Sequence, residues 1–430
     1  MRKVATLVLL LAVVIGLRSV GAPYASAQQP ITVVSEQTQN DFPTGVSFTI
    51  SLNAPAGVKE ARLRYQVAPD GTAASAVADC TGGAVISCSY ELRSGAGIVI
   101  IPGAQITYHW ELTDNAGNKL STPDKTYVHQ DARFTFKTLT KGNVTLYYHA
   151  GGESAAQAVL DAAVNTLAKV GALEQTQVTF PVKVFLYTTA EEMQPAIAPG
   201  QQGSGVQVLG EVVYSDTAMV SADVDTLNIT QHEVAHIVTG QATKGPFGIP
   251  AWLNEGISVY SQSRPLEGHQ SALDAAIQTD TVLSMRQLAS SASGSIGATV
   301  GVYYGEAGSI VRYLVTTYGP DKFAQLLKTF KDGSDVGQAF QSVYGFDQYG
   351  LENQWRQSVG LSQRALVPTA GPSTALAAAT AAPAVTSSAQ ASSHSTGGDS
   401  STAAVAIIIA LIALVVIAAG AAIVLVRRRV

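Results

Sequence analysis

Cysteine is nearly absent: Cys80 and Cys88 are the only two in 430 residues. That excludes a disulfide-dense scaffold and a metal site built from four thiolates. Seven residues lie between the pair, so in an exported chain they read as one local disulfide clipping a hairpin. Charge is also sparse, at 13% of residues. Of the 26 Lys and Arg, three fall within the first 27 residues and three at the very end. The remaining 20 stand against all 31 Asp and Glu, so the part between carries about −11. A nucleic-acid partner calls for the opposite sign, and none is expected.

One stretch, 403–426, has no polar or charged residue at all. It is long enough to span about 30 Å of hydrocarbon as a helix. Arg427, Arg428 and Arg429 follow it and argue for a cytoplasmic tail, 427–430. The other end reads as a signal peptide, 1–27. Arg2 and Lys3 start it, an apolar run covers 4–15, and Ala25-Ser26-Ala27 supplies the small residues of a cleavage site. The expectation is a single-pass cell-membrane protein, anchored by a transmembrane helix at 402–426, with its N-terminal domains extracytoplasmic.

The length exceeds one core, so several domains are expected. From 31 to 137 the pattern is short alternating strands, VSFTISL, ARLRYQV and ITYHWEL, separated by clusters such as Pro69-Asp70-Gly71. This predicts an all-β immunoglobulin- or fibronectin-like sandwich, a domain type that binds or orients some surface partner. From 138 to 360 strands mix with helices, an α+β pattern. There, TAMVSAD, 217–223, is expected as the edge strand. The segment 361–401 is mostly Ala, Ser, Thr, Pro and Gly and reads as a flexible stalk.

The α+β region contains QHEVAHIVTG, 231–240. On a helix His232 and His236 share one face and can both reach one zinc ion. Glu233 projects one step round, where it can take a proton from a zinc-bound water. Downstream, Gly240, Gly245, Pro246 and Pro250 break the helix, and IPAWLNEGISVY then begins a second one. Its Glu255, eighteen residues beyond His236, can face the first helix as a third ligand.

HEVAH and WLNEG at that spacing resemble the gluzincin metallopeptidases, most nearly the membrane-alanyl-aminopeptidase type and the peptidase-MA-like domains of bacterial surface proteins. The resemblance spans about 140–358. It implies a zincin-like metallopeptidase fold, zinc on His232, His236 and Glu255, and Glu233 as base and proton shuttle. YGEAGSIVRYL, 304–314, is similar to a later segment of those aminopeptidases, whose leading tyrosine donates to the oxyanion. That position is Tyr304, with Tyr303 as its neighbour and rival. The Gly-x-Met-Glu-Asn segment that grips a substrate's α-amine in those aminopeptidases has no counterpart, and TAMVSAD carries no carboxylate in that place. The expectation is therefore an anchored, surface-exposed zinc peptidase cutting within peptide or protein substrates. The rival is a cell-surface binding module on an inactive peptidase fold.

Overall fold

The structure is a computed structural model describing residues 30–95, 99–197, 208–289 and 298–365. Nine strands come first: β1 (Thr32–Asp41), β2 (Gly45–Asn53), β3 (Val58–Ala68), β4 (Ala74–Val77), β5 (Asp79–Thr81), β6 (Ile86–Arg93), β7 (Gln105–Asp114), β8 (Lys119–Ser121) and β9 (Lys125–Val128). They form two antiparallel sheets, β1-β2-β6-β5 and β4-β3-β7-β8, with β9 also on β7. Alternation makes the sandwich. Val46, Phe48, Ile50 and Leu52 of β2 point inward while Ser47, Thr49 and Ser51 point out. Cys80 and Cys88 sit directly opposite each other on β5 and β6 and are joined, a clip within one sheet.

A third sheet follows, built from β10 (Lys137–Lys141), β11 (Val144–Tyr148), β12 (Val182–Tyr187), β13 (Gly210–Tyr214) and β14 (Thr217–Ser221) in the order β10-β11-β12-β14-β13. β11, β12 and β14 are parallel, while β10 and β13 lie antiparallel at the two edges. The helix α1 (Glu153–Leu173) crosses between β11 and β12, and the short α2 (Ala190–Met193) follows β12. TAMVSAD is therefore not the edge. Its strand β14 lies inside the sheet, and all five of its residues are buried. The edge is GEVVY, on β13.

The remainder is helical: α3 (Thr226–Ala242), α4 (Ala251–Ser261), α5 (Glu267–Gln278), α6 (Met285–Ala289), α7 (Ala298–Tyr318), α8 (Pro320–Lys331), α9 (Val336–Tyr344) and α10 (Gln348–Ser358). α3 is wedged between two cores. Ile229, Val234 and Ile237 pack with the sheet and α1. Ala235 and Val238 pack with Trp252, Leu253, Val311 and other residues of the helical lobe. A helix buried on two sides has little polar face, and the histidines lie where the two contact faces meet.

The sandwich does not keep a core to itself. Phe185, Tyr187, Tyr214 and Met219, on the sheet face away from α3, belong to one apolar cluster with Phe48, Leu63 and Trp110 of the sandwich. Polar contacts close the same junction. Lys183 Nζ donates to the Gly103 carbonyl at 3.0 Å, and Ser215 Oγ meets Asp70 Oδ1 at 2.6 Å.

The expected fold ended in a transmembrane helix, and this is corrected. Among the described residues, no helix is long and apolar enough to cross a membrane. Length alone does not decide this. α1 and α7 have 21 residues each, enough for roughly 30 Å at 1.5 Å per residue. However, α1 carries Glu153, Asp161 and Lys169, and α7 carries Glu306 and Arg312. α1 packs against protein along one side and exposes the other, whereas α7 is packed among α4, α5, α8 and α10. The segments 1–27, 402–426 and 427–430 lie outside the described residues. The start of the presumed stalk, 361–365, is held to the helical lobe. Arg364 pairs with Glu352 at 2.6 Å and donates to the Val282 carbonyl at 2.6 Å. Residues 366–401 lie outside the description.

Candidate metal centre

Asp225 immediately precedes α3, and its backbone is left-handed, with φ 43°. Its carboxylate accepts from Asn228 Nδ2 at 2.8 Å and pairs with Arg264 at 2.9 Å. This anchors the turn before the histidines. α4 begins after Pro250 and presses on α7. Gly256 permits that approach, since a Cβ there would lie 2.5 Å from the Ala307 carbonyl oxygen. The glycine of WLNEG thus sets how deeply its neighbour Glu255 sits.

The structure brings His232, His236 and Glu255 together. His232 Nε2 is 3.2 Å from Glu255 Oε2 and 3.2 Å from His236 Nε2; His236 Nε2 is 3.5 Å from Glu255 Oε2. Two donors about 2.05 Å from one ion at tetrahedral angles stand about 3.3 Å apart, so the trio fits three ligand positions of a zinc site. The other ring nitrogen of His236 is occupied: Nδ1 lies 3.1 Å from Asn254 Oδ1 and 3.0 Å from Ser258 Oγ. A proton on Nδ1 is donated there, leaving the Nε2 lone pair for a metal. Neither partner was picked out in the sequence. Both lie on α4 beside Glu255, and only the packing of α3 on α4 reveals their role.

Electrostatics suit a cation. Burial works against charge on Glu255, yet His236 and His232 hold its carboxyl down at about 2. Burial also opposes charge on His236, but Glu255 raises it to about 9. Glu233 is 4% exposed, and burial pushes it up while the two histidines pull it back. Its carboxylate lies against β13, where a Cβ on Gly210 would meet Oε1 at 2.6 Å.

Tyr304 and Tyr303 are both buried. The Tyr304 ring is 6.2 Å from the His232 ring, and its phenol feels both Glu255 and Glu233. Tyr303 feels Glu255 alone of the site carboxylates. Of the two, Tyr304 is the one placed at the site. Burial, then Glu255, holds its hydroxyl well above its usual range, so it is a donor at neutral pH.

The edge strand does carry a carboxylate, Glu211, 6% exposed and pushed to about 8 by burial and then by Glu233. It pairs directly with Met219, which packs toward the sandwich, whereas Gly210 and Val212 pair with Val220 and Ala218 on the α3 side. Register thus places Glu211 opposite Met219 on the sandwich side of the sheet, although its carboxylate still lies near enough to Glu233 to be raised by it.

A family model of the Peptidase MA superfamily matches residues 162–360, which hold His232, Glu233, His236, Glu255 and Tyr304. Residues 162–360 are thus a Peptidase MA-like domain. Among solved structures, an M1 zinc metallopeptidase from Deinococcus radiodurans is similar at 12% identity, covering 79% of this chain and 96% of that one, with a TM-score of 0.34. A carbohydrate-binding module of family 56, a β-1,3-glucan binding domain, is similar at 16% identity over 23% of this chain and 99% of its own, with a TM-score of 0.15. Scores this low bear no weight on function. No curated protein matches the chain. The Peptidase MA domain therefore combines a peptidase fold with a His-Glu-His group whose ligand atoms all lie within 4.8 Å of one another.

Proposed function

We propose that the protein is a zinc-dependent peptidase that hydrolyses bonds within peptide or protein chains. One observation carries the reading: the two Nε2 atoms and Glu255 Oε2 converge beside a buried carboxylate that is not among them. In this reading His232, His236 and Glu255 hold zinc. Zinc so held supplies Lewis acidity toward a water and the scissile carbonyl. Glu233 accepts a proton from the attacking water and returns it to the departing amine. Its raised affinity for a proton suits both steps. Tyr304 donates its hydroxyl hydrogen bond to the developing oxyanion.

A peptide fits the neighbouring surface. Among the described residues β13 pairs with β14 alone, so its other edge offers main-chain donors and acceptors to an extended chain. Gly210, at the start of that strand, touches Glu233. Cleavage within a chain is favoured because register sets Glu211, the carboxylate of the edge strand, on the sandwich side of the sheet.

The test uses the purified protein, an internally quenched peptide mixture and measured zinc content. His236→Ala should lose most of the zinc. Glu233→Gln should keep zinc and fold, because the amide preserves shape but takes no proton at neutral pH. Its rate should fall by about 10²–10⁴. Tyr304→Phe should cost about 10²–10³. Equal rates in wild type and Glu233→Gln at equal zinc would sink the mechanism. Silence of all variants and the wild type across varied peptides would favour a binding platform.

A further inference from the structure

His269, on α5, takes no part in the mechanism above, yet it lies against its oxyanion donor. Its imidazole is stacked on the Tyr304 ring, with centroids 5.0 Å apart and 11° between the planes. Tyr303 meets the same ring edge-on at 5.5 Å, and His232 meets it tilted at 6.2 Å. Tyr304 is thus braced by three rings, one of them from the metal centre.

Among the described residues the Nδ1 of His269 is buried with no hydrogen-bond partner, a costly arrangement that an apolar side chain would avoid. Its placement is rigid. α5 lies directly on α7, where a Cβ on Gly305 would come within 2.5 Å of the His269 carbonyl oxygen and 2.9 Å of Leu273 Cβ. His269 also lines a cavity of about 210 Å³ with Val259, Leu273, Gly305 and Arg312. His269 therefore stands between Tyr304 and open space. Without it, the tyrosine ring gains room on its stacked face.

We propose that His269 is a positioning residue: its imidazole face fixes the plane of the Tyr304 ring and so the direction in which the phenol donates. This rests on the role given to Tyr304 above. Donor placement matters, since a misplacement near 1 Å costs about 10²-fold in rate. His269→Ala should keep its zinc and lower kcat by about 10–10²-fold with KM within about twofold, because the donor acts on the oxyanion and not on the bound ground state. His269→Phe restores a flat ring and should recover most of kcat. In a Tyr304→Phe background, His269→Ala should cost nothing further, since there is no phenol left to aim.

These measurements use the zinc-loaded full chain and an internally quenched peptide mixture. A large loss in Tyr304→Phe with unchanged kcat in His269→Ala overturns this inference alone. Unchanged kcat in Tyr304→Phe removes the tyrosine's role and this inference with it. An equal loss from His269→Ala in both backgrounds, or no recovery in His269→Phe, also overturns it. A crystal structure of His269→Ala supplies a readout independent of turnover. The Tyr304 ring should be rotated toward the cavity or spread over several positions, and an unmoved, well-ordered ring refutes the proposal.

Discussion

Gly210→Ala places one methyl group where the structure leaves room only for hydrogen. The added Cβ would lie 2.6 Å from Glu233 Oε1, 2.8 Å from Glu233 Cγ and 2.7 Å from Ile229 Cγ2. Carbon contacts are comfortable from about 3.5 Å, so roughly 1 Å must be found. The backbone of α3 yields little, being held between the sheet and the helical lobe. The free end of the Glu233 side chain is what can move. A base displaced by about 1 Å loses about 10²-fold in rate, and overpacking of this kind costs about 1–3 kcal/mol of stability. No metal-ligand atom is among the three nearest contacts of the new methyl, so zinc content should stay at the wild-type value. The assay is kcat on the quenched peptide mixture, with zinc content and a thermal melt on the same sample. The Glu233→Gln background serves as control, where Gly210→Ala should add little further loss. Activity within about threefold of wild type, together with an inactive Glu233→Gln, would refute the claim that this contact positions the base.

Two further outcomes follow from the surroundings of the trio. Asn254→Ala removes one of the two partners of His236 Nδ1, so zinc affinity should fall by about 10–100-fold in a chelator competition, and Asn254→Ala with Ser258→Ala should lose more than either alone; undiminished affinity in the double variant contradicts the orienting role. Burial pushes the Glu174 carboxyl up to about 8, against the hydrogen bond it accepts from Thr239 at 2.7 Å. The folded state thus holds a proton that the unfolded chain releases near 4.5, and stability should fall as pH rises between about 4.5 and 8. Melting temperatures recorded from pH 5 to 8.5 should decline less steeply in Glu174→Gln, and an unchanged slope contradicts the assignment.

Much of the site was legible because its signals are local. Two histidines four apart on a helix share a face whatever surrounds them, and the glutamate directly after the first lies one step round. WLNEG after a glycine- and proline-rich break signals a second helix, and a helix–loop–helix of that size returns on itself. The alternating strands of β2, β3 and β7 were equally plain, since a half-buried strand writes its period into its residues. An apolar run is weaker information. It gives a length and a lack of charge, but not the surroundings an element ends up with.

Tertiary structure alone decided the rest, because those features are contacts between residues far apart in the chain. β14 enters the sheet between β12 and β13, so the edge passes to GEVVY, and register then sets Glu211 on the sandwich side of the sheet. No period in either strand foretells that insertion. The sandwich covers the outer face of the third sheet, merging what read as separate cores. Asn254 and Ser258 serve His236, Gly210 bounds Glu233 and His269 lies on Tyr304, all through helix and strand packing. Local pattern named the groups that do chemistry; the residues that orient them are identified by proximity, and proximity across tens of residues exists only once the chain has packed.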